Sequence, residues 1–287
     1  MTSRVDAVVD ACYRKRLLRS RVIWRRLASY VILVLVDARD AYLVDCCSFA
    51  DQANTLTQIV CAIVASAKGV LPLSCKDCAE LVVLGINSGS DFIIMKRDVL
   101  GAKAARAMES DWSMHPLVVD VGGVAPTVVG EEALAAVGRG LADAIGSAAA
   151  CGAKEQPVCY FEVRDGEGLD FVFLVGWLLG YPCIYRCGGA GKDEGDTFLN
   201  GNALSGLSLV KYSFDLLLCG EGRIDVMTFT APSALLASGG LRASIEGVLQ
   251  SRRESLNKAI AAAPPGLMAS QFAVVQDEVC QMTNVSM

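Results

Sequence analysis

Two short stretches concentrate residue types that do chemistry. The first is Cys187-Gly-Gly-Ala-Gly-Lys-Asp-Glu-Gly-Asp196. Glycines let a ligand approach backbone amides closely, and successive amides form an anion-binding concavity. Gly188, Gly189 and Gly191 would supply that backbone, Lys192 a cation and Asp193 a carboxylate. Neither the G-x-x-x-x-G-K-[ST] nor the G-x-G-x-x-G spacing is present. Asp193, Glu194 and Asp196 together would repel phosphate unless a cation were bound. The stretch therefore reads as a ligand-facing loop, a divalent-cation site or a plain polar turn. The second stretch is Gly220-Glu-Gly-Arg-Ile-Asp225, directly after the apolar run Leu216–Leu218. Ligands in α/β folds gather at the carboxyl ends of strands, which would put Glu221, Arg223 and Asp225 on a pocket wall. These two sets are the expected ligand-binding residues; no catalytic residue, metal ligand or cofactor is assigned.

Thiols and imidazole offer less. The chain has twelve cysteines, most of them inside apolar runs, where a thiol behaves as a small hydrophobe. A reducing, cytoplasmic setting is the expectation. Cys75-Lys-Asp-Cys78 has the C-x-x-C spacing of a redox dithiol. Zinc there would need two more ligands, to be drawn from His115, Cys46 and Cys47. The pair precedes a strand rather than opening a helix, and Lys76 and Asp77 nearly cancel, so structural cysteines are the simplest reading. His115 is the one histidine, which excludes multi-histidine metal sites, and no nucleophile-elbow motif accompanies it.

The elements that must position these residues alternate. Residues 10–29 read as a helix, and the apolar, β-branched run Tyr30–Val36 as a buried strand ending at Asp37. Strands are expected at 41–44, 81–86, 92–95, 158–162, 181–186, 203–212, 216–218 and 272–275. Helices are expected at 55–67, 99–109, 131–150, from about 169 through 179, and 245–263, the last ending ahead of Pro264-Pro265. This pattern predicts an α/β fold, a mixed β-sheet with flanking helices, in an order that suits two similar α/β halves. The expected division is a basic N-terminal helix at 1–29, a first half at 30–128, and a second half with a C-terminal helix at 129–287.

Composition sets the outer limits. With 287 residues, 53% apolar and a net charge of -5, the chain is neither disordered nor coiled-coil. Wholesale nucleic-acid binding is disfavoured by the negative balance. Eight of the 26 basic residues fall in the first 26 positions, opposed only by Asp6 and Asp10. That opening reads as a solvated helix face, a transit peptide or a docking patch. No membrane span is expected: Phe171–Tyr185 contains Gly176, Gly180 and Pro182 and falls short of the ~20 apolar residues a span needs.

Two family resemblances rest on these motifs. Across 131–212, a helix leads to strand 158–162, an Asp165-Gly166 turn and another apolar element. The next strand ends in Cys187-Gly-Gly-Ala-Gly-Lys-Asp193, and Asn200-Gly201 precedes a further strand. This order resembles the FIST sensory-domain family, with its double-glycine, Ala-Gly-Asp turn and its Asn-Gly turn; here Lys192 is extra. The resemblance implies a non-enzymatic small-ligand sensory or scaffold domain in intracellular signalling, with an unidentified small molecule and a signalling or ubiquitin-ligase protein as partners. Residues 220–232, from Gly-Glu-Gly-Arg-Ile-Asp to Thr228 and Ala231-Pro232, are similar to a late motif of the glycerate kinase family. That family's Gly-Lys-Ala-Pro turn reads Phe229-Thr-Ala-Pro232 here. This second resemblance implies the alternative, an ATP-dependent sugar-acid kinase.

Overall fold

The computed structural model describes residues 4–14, 17–18, 20–47, 52–70, 81–86, 90–109, 116–122, 125–150, 158–163, 171–186, 204, 207–218, 222–237, 239–262 and 268–281. Helix α1 (Arg4–Tyr13) buries Val5, Val8, Val9 and Cys12. Their three-and-four spacing makes one apolar stripe. Helix α2 (Arg21–Leu35) starts at Ser20, whose hydroxyl accepts from the Ile23 amide, and runs straight through the segment expected to be a strand. Tyr30–Val36 is thus the end of a helix and not a strand. Val31 to Leu35 are all buried. A helix end covered on every side carries the same unbroken apolar run as a buried strand, so periodicity does not separate the two.

The end of α2 is closed by its own backbone. Ala38 donates to the Leu33 carbonyl (2.9 Å) and Asp37 to that of Val34 (3.3 Å), the paired bonds of a Schellman end. Asp37 takes the left-handed position, φ 59°, usually given to glycine.

Two arginines of α2 lie along α1, with Arg21 at 2.7 Å from Asp10 and Arg25 at 3.4 Å from Asp6. Two of the eight basic residues of the opening thus form an interhelical charge seam over a buried stripe, and Arg26 turns to Asp45 instead.

Strand β1 (Ala41–Leu43) comes next, then α3 (Gln52–Val70), β2 (Leu81–Ile86), β3 (Asp91–Lys96) and α4 (Arg97–Ala107). After these are β4 (Leu117–Asp120), β5 (Thr127–Val128), α5 (Glu131–Ala150), β6 (Val158–Glu162), α6 (Phe171–Leu179) and β7 (Cys183–Arg186). The central sheet has the order β1-β3-β2-β6, antiparallel except for the parallel pair β2/β6. Its pleat divides the core. Tyr42, Leu81, Val83, Phe92, Ile94 and Val158 face α1–α3, whereas Ala41, Val82, Leu84, Ile86, Ile93 and Met95 face α4–α6. The protein is an α/β fold with mixed sheets flanked by helices.

The α3 window Ala53–Val70 is long and apolar enough to cross a membrane by length and composition alone. However, Leu56, Ile59, Val60, Ile63, Val64 and Ala67 are spent in the core, and Asn54, Gln58, Ala65 and Lys68 form the exposed face.

A second sheet, β5-β4-β7, pairs β4 and β7 in parallel. The third is antiparallel, β10-β8-β9, from β8 (Ser208–Leu218), β9 (Gly222–Pro232) and β10 (Met268–Gln281). Helices α7 (Ser233–Leu236) and α8 (Gly239–Ala262) lie between β9 and β10 in sequence. The two expected strands 203–212 and 216–218 are one strand, β8. Of the stretch 220–225, the described residues Gly222–Asp225 open β9, whose buried Val226, Met227, Phe229 and Ala231 join a third core cluster. Leu33 and Ala38 belong to that cluster while the rest of α2 belongs to the first. The end of α2 is where the cores meet.

Candidate functional site at the end of the second helix

A joint of five residues separates Leu35 from β1, and it is held from two sides. Lys96, only 5% exposed, places its ammonium 2.7 Å from Asp37. Lys103 lies 3.4 Å from Asp40 and donates to the Trp177 carbonyl at 3.1 Å. Between these anchors Arg39 is half-buried, and its own amide donates to the Leu33 carbonyl.

The Arg39 guanidinium stands 5.1 Å from the ring centre of Tyr30 and 5.5 Å from that of Tyr42. The two rings stack with centres 4.4 Å apart. A guanidinium this close to a stacked pair sits at its side and gains about 0.5–2 kcal/mol according to how dry the contact is. Arg39 thus has its place set by packing, while its charge remains available.

Other charged groups reach the same face. Burial pushes the Asp225 carboxyl above its ordinary value, against a Thr228 hydrogen bond and the Arg39 charge, which pull it down. Burial likewise raises the Tyr30 and Tyr181 phenols, each of which feels Arg39 and Asp225. Beneath the joint is a crevice of about 20 Å³ lined by Ala38, Arg39, Asp40, Phe214, Val226 and Met227, among others. That is room for roughly one water. An organic ligand would have to sit on the polar rim.

The far side of β1 carries the remaining reactive groups. The Tyr42 hydroxyl donates to Asp45 (3.1 Å), which also accepts from Arg26 at 3.0 Å. Next to them the sulfurs of Cys46 and Cys47 are 3.7 Å apart. A hydrogen bond from Cys47, then one from Tyr42, bring the Cys46 thiol down to about 6, against the effect of burial. Cys47 moves the other way, because giving up its proton would cost that hydrogen bond.

Of the expected ligand-binding residues, Gly188, Gly189, Gly191, Lys192, Asp193 and Glu221 lie outside the described residues, as do His115, Cys75 and Cys78. Arg223 and Asp225 are described, and both lie within β9, opposite Leu217 and Asp215 of β8. Of these, Asp225 is the one whose carboxyl feels the Arg39 charge. Sequence reasoning passed over Tyr30, Arg39, Tyr42 and Asp45. The available signal was the charge-rich Asp37-Ala-Arg-Asp40 directly after a long apolar run. Among the described residues no group of three or more His, Cys, Asp or Glu side chains is placed to hold a metal ion. Comparison with protein-family models, with curated proteins and with solved structures returned no match.

Proposed function

We propose that this chain is a cytoplasmic small-ligand sensory or scaffold domain in intracellular signalling, without catalysis of its own. Its ligand binds on the Arg39–Asp225 face. The observation that carries this reading is the fixed guanidinium of Arg39 beside a stacked tyrosine pair, with a carboxylate in its field. A cation beside an aromatic pair, with an anion in its field, matches a zwitterion, so α-amino acids head the candidates. The reading keeps Gly188, Gly189, Gly191, Lys192, Asp193 and Glu221 as further ligand-binding residues, and a signalling or ubiquitin-ligase protein would receive the output.

The alternative is an ATP-dependent sugar-acid kinase that uses Glu221, Arg223 and Asp225, and turnover separates it from this reading.

The test is a thermal-shift panel of free amino acids, glycerate and Mg-ATP, with coupled ADP release measured in parallel. A bound ligand at a hundred times its Kd stabilises the fold by about 2.7 kcal/mol. An amino acid should raise Tm and no ADP should be released. ATP-dependent turnover of a hydroxy acid would replace this proposal with the enzyme.

A further inference from the structure

We propose that Cys46 and Cys47 form a hydroperoxide-responsive dithiol, in which Cys46 takes the peroxide oxygen and Cys47 resolves it into a disulfide between neighbouring residues. The inference is independent of the ligand reading above. In extended chain, adjacent side chains point to opposite sides. Here the backbone bends at Cys46, just beyond β1, and both sulfurs come to one side, 3.7 Å apart. Both residues are half-exposed, so a small peroxide reaches them. Cys183 differs on each count: it is 2% exposed, and burial pushes its thiol up to about 12.

The described polar groups around the pair each have a part. The Cys47 thiol hydrogen-bonds to the Cys46 sulfur, the Tyr42 hydroxyl stabilises its charge when it turns from Asp45, and the Arg26 cation favours that charge. Asp45 opposes that charge, but it is itself engaged by Arg26 and Tyr42. With a pKa of about 6, Cys46 is mostly thiolate at neutral pH. Because nucleophilicity falls as pKa falls, the net gain over an ordinary thiol is only about two- to fivefold.

The chemistry balances with a hydroperoxide as oxidant. The Cys46 thiolate attacks the terminal oxygen, the O–O bond breaks, and the leaving alkoxide or hydroxide takes a proton. The sulfur is now a sulfenic acid, oxidised by two electrons. The Cys47 sulfur then attacks it. The S–S bond forms, the S–O bond breaks, and hydroxide leaves with the Cys47 proton as water. Adjacent Cα atoms are about 3.8 Å apart, below the usual disulfide range of roughly 4.4–6.8 Å. The product is strained, and strained disulfides are the readily reduced ones. A dithiol reductant therefore resets the pair.

The experiment is peptide mapping of the full chain after a brief pulse of hydrogen peroxide, with and without dimedone, a sulfenic-acid trap. In the wild type the peptide containing both cysteines should lose two hydrogens and regain them with dithiothreitol. In Cys47→Ser, dimedone should label Cys46 at least tenfold more than in the wild type. In Cys46→Ser, Cys47 should stay unlabelled. The wild-type result needs no variant to fold. An unchanged wild-type peptide, a bond from either sulfur to another cysteine, or equal labelling of Cys47 in Cys46→Ser would overturn the proposal.

Discussion

Strands β1 and β2 belong to one sheet and are used in opposite ways. β2 lies inside the sheet with all six residues buried, and its side chains alternate between two helical layers. β1 is an edge strand of three residues, entered from a joint rich in charge and left through Asp45, Cys46 and Cys47. The same ladder of hydrogen bonds holds both. What differs is the partner supply: β2 is paired on both sides and enclosed by helices, whereas β1 pairs with β3 alone, packs on α2 and α6, and runs out to solvent at Asp45. The middle of this sheet is packing, and its edge carries the ionisable and thiol groups.

Removing the layer behind β2 should break this contrast most severely. Deleting residues 1–9 takes away Val5, Val8 and Val9, which are buried in the cluster that contains Leu81 and Val83. Each buried valine is worth about 1.5–3 kcal/mol, so the deletion should unfold the protein at ambient temperature, seen as loss of a cooperative urea transition. A solvated basic tail would instead be dispensable. Leu84→Ala opens a cavity on the other face and should cost roughly 2–5 kcal/mol in a denaturant melt. The rate of Cys46 alkylation in the folded fraction should stay as it was. A changed rate would show that the interior and the edge are coupled.

Smaller changes belong at the edge. Tyr42→Phe removes a hydroxyl that serves Asp45 and Cys46. It should cost about 0.5–1.5 kcal/mol, the ordinary worth of a hydrogen bond, and slow alkylation of Cys46. The smallest effect on stability is expected from Cys47→Ala, which acts on titration. Cys46 has a folded pKa below its unfolded one, so its share of stability is full above the unfolded value. That share is lost as pH falls through about 6. Without Cys47 the midpoint of the alkylation profile should move up toward the ordinary thiol range. A midpoint that stays near 6 would assign the shift to Tyr42 and Arg26 instead.

The interior was legible in the sequence because burial leaves local marks. Leu81–Ile86, Val158–Glu162 and the Ala-rich 131–150 helix announce themselves by composition and length. Tyr30–Val36 misled because an enclosed helix end and an enclosed strand present the same run of apolar residues. The Ser20 cap and the left-handed Asp37 that would separate them are weak signals in a single sequence. Arg223 and Asp225 lie within a strand that no β-branched run announces, since Gly222-Arg-Ile-Asp225 reads locally as a turn. The meeting of Arg39 with Tyr30, Tyr42 and Asp225 joins residues up to 195 positions apart. No local pattern encodes it.

We place the ligand on Arg39 at the end of α2 and not on Arg223. Thermal-shift titrations of the wild type, Arg39→Ala and Arg223→Ala with the same free amino acids decide between them. Arg39→Ala should fold, stay within about 2 kcal/mol of the wild type in stability, and lose the ligand-induced rise in Tm. Arg223→Ala should retain that rise. A rise that survives in Arg39→Ala and disappears in Arg223→Ala would move the ligand to the other residue.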